Sequence, residues 1–397
     1  MLDLLKRPNG PKQATRLAII KALMARSATK KQLEQRTGRS EITIYNEVKA
    51  LREQGIAEPA ERGGSQEIRL SPLSGVAVGV ELGYQHTVVI ARRAHQAHDD
   101  AETEFINVGA AYGQDAWLGA AARAISAVVG RVSDGRDGLA TIGMGIPRVV
   151  NPQDQTLVPP LLPPWDGSEN PAVALANALA QVKHLDVPPY LRVRLDNDAN
   201  LGAYAQYVYR HSRKETLIYI KASTGVGAGI MISGKLFRGA KGCAGELGHT
   251  MIQPDGRFCL CGGRGCLETL VGADSMLRDA QAMLGDKLVP RPSSATELIE
   301  EAVRGNPICR RIVRDAATQL GLAIGNLCNL FNPNVVVLGG VFGRAGDLAI
   351  EACNEGIRKT AMAATYDGSQ PLVVTSELPR ATAQGALLMG IDGEGQP

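Results

Sequence analysis

Ala244-Gly245-Glu246-Leu247-Gly248-His249 is followed, ten residues after His249, by Cys259-Leu260-Cys261-Gly262-Gly263-Arg264-Gly265-Cys266 and then Leu267-Glu268. Three thiols, one imidazole and two carboxylates therefore fall within 25 residues. Cys259, Cys261, Cys266 and His249 make up a complete tetrahedral Zn2+ shell, and a shell with no open position is structural rather than catalytic. The bland alternative is a set of buried apolar thiols or redox cysteines, but the surrounding glycines suit a tight metal loop and not a packed core. Glu246, the second imidazole nitrogen of His249, and Glu268 are polar groups that the zinc does not need. The metal loop is thus expected to position a binding site.

The rest of the composition sets the class. A chain of 397 residues is long enough for two or three domains. Hydrophobic residues at 44% and charged residues at 21% are ordinary for a globular protein, and 4% aromatics argue only against an aromatic-rich surface binder. No apolar run approaches the roughly 18 residues of a membrane span, and the start lacks a secretory pattern, so a cytoplasmic protein is expected. Seven cysteines, an odd number, fit a reducing compartment better than a disulfide framework. The net charge of +3 is uneven: residues 1–70 hold 14 Lys and Arg against 8 Asp and Glu. Such a block is often a plain solvated surface, but it also suits a nucleic-acid partner.

Within those seventy residues the spacing of Leu17, Ile20, Ala22 and Leu23 predicts a helix over 12–24. Thr29 caps a second over 30–36, ending at Thr37-Gly38, and Ser40 caps a third carrying Ile42, Ile44, Val48 and Leu51, with its stop at Gly55. Residues 56–59 and 67–70 flank Glu61-Arg62-Gly63-Gly64-Ser65 as a two-stranded wing. This is a winged helix-turn-helix arrangement, whose third helix enters the major groove. Thr43, Tyr45, Asn46 and Lys49 are the polar candidates on that helix. Asn46 suits adenine, while Lys49, Arg39 and Arg62 suit phosphates. A small three-helix interaction module is the competing reading.

From Val76 onward the pattern is α/β. Strands are expected over 76–81, 87–91, 139–146 and 190–195, a helix over 170–182, and another helix opening after Asp198-Ala199-Asn200. The pattern then restarts, with a strand over 216–220, a Gly-rich turn Ser223-Thr224-Gly225-Val226-Gly227-Ala228-Gly229, a strand over 229–232, helices around 294–330 and a strand over 335–338. Two similar lobes are expected. Any single Gly-rich turn here is weak evidence for phosphate binding. Cys243, Cys309, Cys328 and Cys353 read as buried small hydrophobes.

The chain resembles the ROK family (repressors, open reading frames and sugar kinases) over nearly its whole length. The resemblance is carried by Asn197-Asp198-Ala199-Asn200, Thr224-Gly225-Val226-Gly227, Ala244 to His249, and the cysteine loop with Glu268. It implies the actin-like, hexokinase-like two-lobed ATPase fold, preceded here by the winged helix-turn-helix of the repressor branch. The implied division is 1–70 for DNA binding, 71–200 with 380–397 for the first lobe, and 201–379 for the second. Asn197, Asp198, Glu246, His249 and Glu268 match the family's sugar-binding residues, and Asp198 its general base. Asp198 taken alone would also serve as a helix cap or turn residue.

Two departures from the family pattern matter. The kinases' Asp-x-Gly-Gly-Thr hairpin is replaced by Glu81-Leu82-Gly83-Tyr84-Gln85, which places a ring where glycine lets the backbone approach phosphate. ATP binding is expected to be lost or weak, leaving Asp198 as a vestigial base and the chain as a non-enzyme. Gly-Ile-Pro-Gly becomes Gly145-Ile146-Pro147-Arg148, in which Arg148 either narrows the sugar site or contacts an anionic sugar. The expectation is a sugar-responsive DNA-binding repressor acting as a homodimer or homotetramer, with operator DNA and a monosaccharide or amino sugar as partners. An active ATP-dependent sugar kinase carrying a DNA-binding domain, and a regulator with a vestigial sugar pocket, are the alternatives.

Overall fold

Thr29 opens the second helix by a reciprocal cap: its Oγ1 accepts from Gln32 N at 3.2 Å, and Gln32 Oε1 accepts from Thr29 N at 2.8 Å. In the computed structural model, which describes residues 11–25, 27–60, 66–71, 75–93, 95–96, 98–133, 138–157, 170–188, 191–284, 292–366 and 372–392, that helix is α2 (Lys30–Thr37). It lies between α1 (Pro11–Ala25) and α3 (Glu41–Glu53). Gly38 ends α2 in the left-handed region, at φ 66°. Ser40 then caps α3, accepting from Thr43 N at 3.4 Å. Ile19, Ile20, Leu23, Met24, Leu33, Ile44, Val48 and Leu51 are buried together as a small helical core. Ile42 is not part of it: it is 75% exposed, because α3 turns the 42, 45, 46 and 49 positions outward. Strands β1 (Ala57–Pro59) and β2 (Ile68–Leu70) pair antiparallel as the wing, and Ala28 bridges to Ile68. The wing tip, with Arg62, lies outside the described residues.

The chain divides into two units, Met1–Arg213 with Thr382–Pro397, and Lys214–Ala381. In the first, β3 (Val76–Leu82), β4 (Thr87–Arg93) and β5 (Glu102–Ile106) form an antiparallel meander. After α4 (Gln114–Ser133) come β6 (Leu139–Ile146), α5 (Pro171–Ala180), β7 (Val193–Asn197) and α6 (Asp198–Tyr209), giving strand order β5-β4-β3-β6-β7. The β3, β6 and β7 strands run parallel, and all seven residues of β3 are buried, as a strand covered on both faces must be. Trp117 of α4 is fully buried and donates from Nε1 to Thr87 Oγ1 at 3.0 Å.

The second unit repeats the plan. Strands β8 (Thr216–Ala222), β9 (Val226–Ile232) and β10 (Lys235–Leu236) form the meander. Helices α7 (Glu268–Val271), α8 (Ala273–Leu284), α9 (Ala295–Arg304) and α10 (Pro307–Phe331) follow, then β11 (Val335–Gly340), α11 (Asp347–Thr360) and β12 (Val373–Thr375). The order β10-β9-β8-β11-β12 matches the first sheet strand for strand. Cys309, Cys328 and Cys353 are buried in its core, whereas Cys243 is exposed.

The last helix, α12 (Ala381–Asp392), returns to the first unit. A Cβ on Gly143 of β6 would fall 1.8 Å from Ala386 O, so glycine permits the helix to lie directly on the strand. Leu201 of α6 packs with Ala386 and Met389, which keeps α6 in the first unit; the division falls after Arg213 rather than at residue 200. Two element boundaries also differ from the sequence reading. The β7 strand occupies 193–197, not 190–195, and α6 starts at Asp198 because Asn197 is its cap. The Gly-rich turn is only 223–225, closed by Ser223 N to Gly225 O at 2.9 Å, and Val226 already belongs to β9. No helix among the described residues is long and apolar enough to cross a membrane.

Candidate metal centre and effector-binding groups

One ligand atom from each of His249, Cys259, Cys261 and Cys266 lies within 4.8 Å of the others. Cys261 Sγ and Cys266 Sγ are 3.7 Å apart, and Cys259 Sγ stands 3.5 Å from His249 Nδ1. A tetrahedron with Zn–S of about 2.3 Å and Zn–N of about 2.05 Å has S···S and S···N edges of about 3.8 and 3.6 Å, which these two distances match. Backbone bonds shape the loop: Cys259 N donates to Gly263 O at 2.9 Å, and Gly263 N to Cys261 Sγ at 3.4 Å. The Gly263 N–H draws the Cys261 thiol below its usual range. Burial pushes Cys266 up to about 12. Thiols gathered this closely lose their protons together only when a cation is there to balance them.

The same segment aims its spare groups. With Nδ1 turned to the thiols, His249 Nε2 is 3.7 Å from Glu246 Oε2. Ala228 N of β9 donates to Gly245 O at 2.8 Å, an approach that only glycine allows, since a Cβ at this φ of +91° would lie 1.8 Å from Ala228 O. Glu268, the first residue of α7, accepts from Val226 N at 3.1 Å through Oε2. One of its oxygens therefore fixes the start of β9. Glu246, His249 and Glu268 all belong to the second unit.

Asn197 and Asp198 belong to the first. Asn197 Oδ1 accepts from Ala199 N at 2.9 Å and Asn200 N at 3.2 Å, and Nδ2 donates to Arg148 O at 2.9 Å. The capping role that the sequence also allowed for Asp198 thus falls to Asn197, whose amide keeps one N–H for a ligand. Asp198 occupies the first turn of α6, and its carbonyl accepts from Thr382 Oγ1 at 3.0 Å. Both residues stand where β6 and β7 end at Ile146 and Asn197. The carboxyl ends of parallel strands are where α/β sheets place ligands. Sequence reasoning missed Asp196, which is buried and accepts from Asn197 N at 2.7 Å and Asn200 Nδ2 at 3.1 Å. Its only signal was a third carboxylate-or-amide residue beside Asn197 and Asp198.

On α3, Tyr45 is half exposed, and Asn46 and Lys49 are exposed, sharing one face with Ile42. Arg39 is exposed just before the cap. Thr43 is less available, because its Oγ1 shares a hydrogen bond with Ser40 Oγ at 2.9 Å. Lys30 Nζ lies 4.4 Å over the Tyr45 ring, and Lys49 only weakly meets Glu53 at 3.9 Å. Ile42 is an addition to the set: an exposed apolar side chain there suits a thymine methyl.

The chain is 26% identical to the xylose repressor of Caldicellulosiruptor bescii over 96% of each chain. It is 28% identical to the glucokinase of Thermotoga maritima over 57% of this chain and 71% of that one. Among solved structures, a ROK family transcriptional regulator described as a homolog of the E. coli MLC protein superposes with a TM-score of 0.67. That match covers 96% of this chain and 99% of the other, at 20% identity, a level that speaks for the fold. The ROK family model matches residues 77–392, and the chain belongs to the ROK family.

Proposed function

We propose that this protein is a sugar-responsive transcriptional repressor whose winged helix-turn-helix binds operator DNA, and whose affinity for that DNA is set by a monosaccharide or amino sugar. The observation that carries the reading is the placement of α6. Its cap is Asn197 and its first residue Asp198, while further along Lys21 Nζ of α1 sits 4.9 Å over the Tyr204 ring. Just past its end, Ser212 Oγ donates to Arg36 O at 3.4 Å, and Arg213 Nε donates to Gln35 O. The helix and the residues just after it thus touch the helix-turn-helix at α1 and α2, and polar groups suited to a ligand stand at the helix's other end. A ligand that shifts the first turn of α6 has a packed route to α3.

In this reading Asn197, Asp198, Glu246, His249 and Glu268 pair with sugar hydroxyls, and Zn2+ held by His249, Cys259, Cys261 and Cys266 keeps the imidazole aimed. Arg39, Tyr45, Asn46, Lys49 and Arg62 meet DNA, with Thr43 contributing less. A homodimer or homotetramer in the cytoplasm presents half-sites about 34 Å apart, or multiples of that. The Glu81 to Gln85 hairpin, where Tyr84 is 39% exposed at the turn, favours loss of kinase activity. Operator fragments selected from genomic DNA by the full-length protein, followed by gel shifts across a sugar panel, test the proposal. One sugar should change affinity roughly 5- to 150-fold. Affinity unchanged by every sugar sinks it, and ATP turnover on a sugar above the Asp198→Ala background would reinstate a kinase.

A further inference from the structure

Arg148 is 8% exposed, and its Nη1 and Nη2 are both buried with no hydrogen-bond partner. Among the described residues no carboxylate pairs with it. A guanidinium presents five N–H donors, and leaving two of its nitrogens dry and unpaired is among the more costly arrangements a protein can hold. Burial accordingly pulls the group down to about 10, which still leaves it charged at neutral pH. Such an orphan calls for an explanation outside the resting fold.

Its position supplies one. Arg148 lies two residues past the end of β6, its N–H donates to Ile146 O at 2.8 Å, and its carbonyl accepts from Asn197 Nδ2. It is therefore tied to the residue that caps α6, at the carboxyl edge of the sheet where Asp198 also stands. The helix N-terminus adds partial positive charge at the same edge.

We propose that Arg148 is the specificity-determining residue of the effector site, and that the effector is an anionic monosaccharide whose carboxylate or phosphate takes the two free nitrogens of its guanidinium. The inference rests on the sugar-responsive reading above. Arginine's planar fork matches either anion in a bidentate way, which a lysine or a neutral side chain does not. Neither nitrogen is open to water in this conformation, so an anion reaching them displaces the protein around them. That displacement acts on the carbonyl held by Asn197, and hence on α6.

The test uses full-length protein with calorimetry against glucose, glucuronate, galacturonate and glucose 6-phosphate, for the native chain, Arg148→Gln and Arg148→Lys. The native chain should bind a uronate or the sugar phosphate at least 10-fold more tightly than glucose, and the preferred arm identifies the anion. Arg148→Gln should weaken that ligand on the order of 10- to 100-fold and any neutral sugar by less, so that the preference for the anion is lost. Arg148→Lys should recover only part of the loss. A second readout separates this from a structural role: removing an unpaired buried charge should raise the melting temperature of the ligand-free protein. Preference for neutral sugar, anion affinity unchanged in Arg148→Gln, or a lowered melting temperature overturns the proposal. If a neutral sugar binds and releases DNA, the repressor reading survives without this one; if no sugar of either kind alters DNA binding, the repressor reading itself has failed.

Discussion

Replacing Asn197 by alanine removes three hydrogen bonds of known geometry, two accepted from the first turn of α6 and one donated to Arg148 O. Losing an N-cap to alanine costs about 1 kcal/mol, with a range of about 0.5 to 2. Losing a bond between neutral groups costs about 1 kcal/mol more. Asn197→Ala should therefore destabilise the start of α6 by about 2 kcal/mol, a roughly 30-fold shift in its local opening equilibrium. Asn197→Ser separates the two parts, since serine caps as well as asparagine but carries no amide to reach Arg148. It should cost about 1 kcal/mol. Hydrogen exchange at the Ala199 and Asn200 amides reads the local opening directly, and urea denaturation reads the whole. Equal losses in the two variants would show that the cap contributes nothing, and a change below about 0.5 kcal/mol in Asn197→Ala would refute the assignment of all three bonds. If α6 links effector to DNA, the alanine variant should also respond less to sugar in gel shifts, even at saturating ligand.

Metal analysis should find about one zinc per chain, and Cys259→Ala or Cys261→Ala should lose it together with the sugar response; a protein that responds fully without metal would contradict the assigned role. Gly245→Ala places a Cβ 1.8 Å from Ala228 O at a φ of +91°, so it should cost about 3 kcal/mol or more and lower zinc retention, read by thermal melting and metal content. Asn46→Ala should cost about 1 to 3 kcal/mol at one base pair and relax specificity there. Lys49→Ala should instead weaken all sequences alike and reduce the salt slope by about 1, both measured by fluorescence anisotropy over a salt series.

Much of the molecule was legible in its sequence because the signals are local. Thr29, Gly38 and Ser40 mark helix ends through bonds that span three or four residues, so caps alone delimit α2 and most of α3. The cysteine spacing fixes a loop whose donors close on one point. Where the sequence misled, the cause was distance. Ile42 has the residue type of a core position and the phase of a surface one, and only the direction in which α3 packs settles which prevails. Cys243 is apolar in type but exposed, unlike Cys309, Cys328 and Cys353, which lie in helices α10 and α11 packed into the core of the second unit.

The residues by themselves determined the chain's chemistry: three thiols and an imidazole at metal-ligand spacing, a capped and positively charged helix-turn-helix, and carboxylates and an amide of the kind that can pair with hydroxyls. Tertiary structure decided how those groups are employed. It gave the cap of α6 to Asn197 rather than Asp198, placed Asp196 behind them as a buried acceptor, brought α12 back onto β6 across more than 240 residues of chain, and left the guanidinium of Arg148 buried with its nitrogens unpaired. Each of these depends on contacts between segments remote in sequence, and a carboxylate, an amide or a guanidinium reads the same along the chain whether it meets water, a backbone N–H or nothing at all.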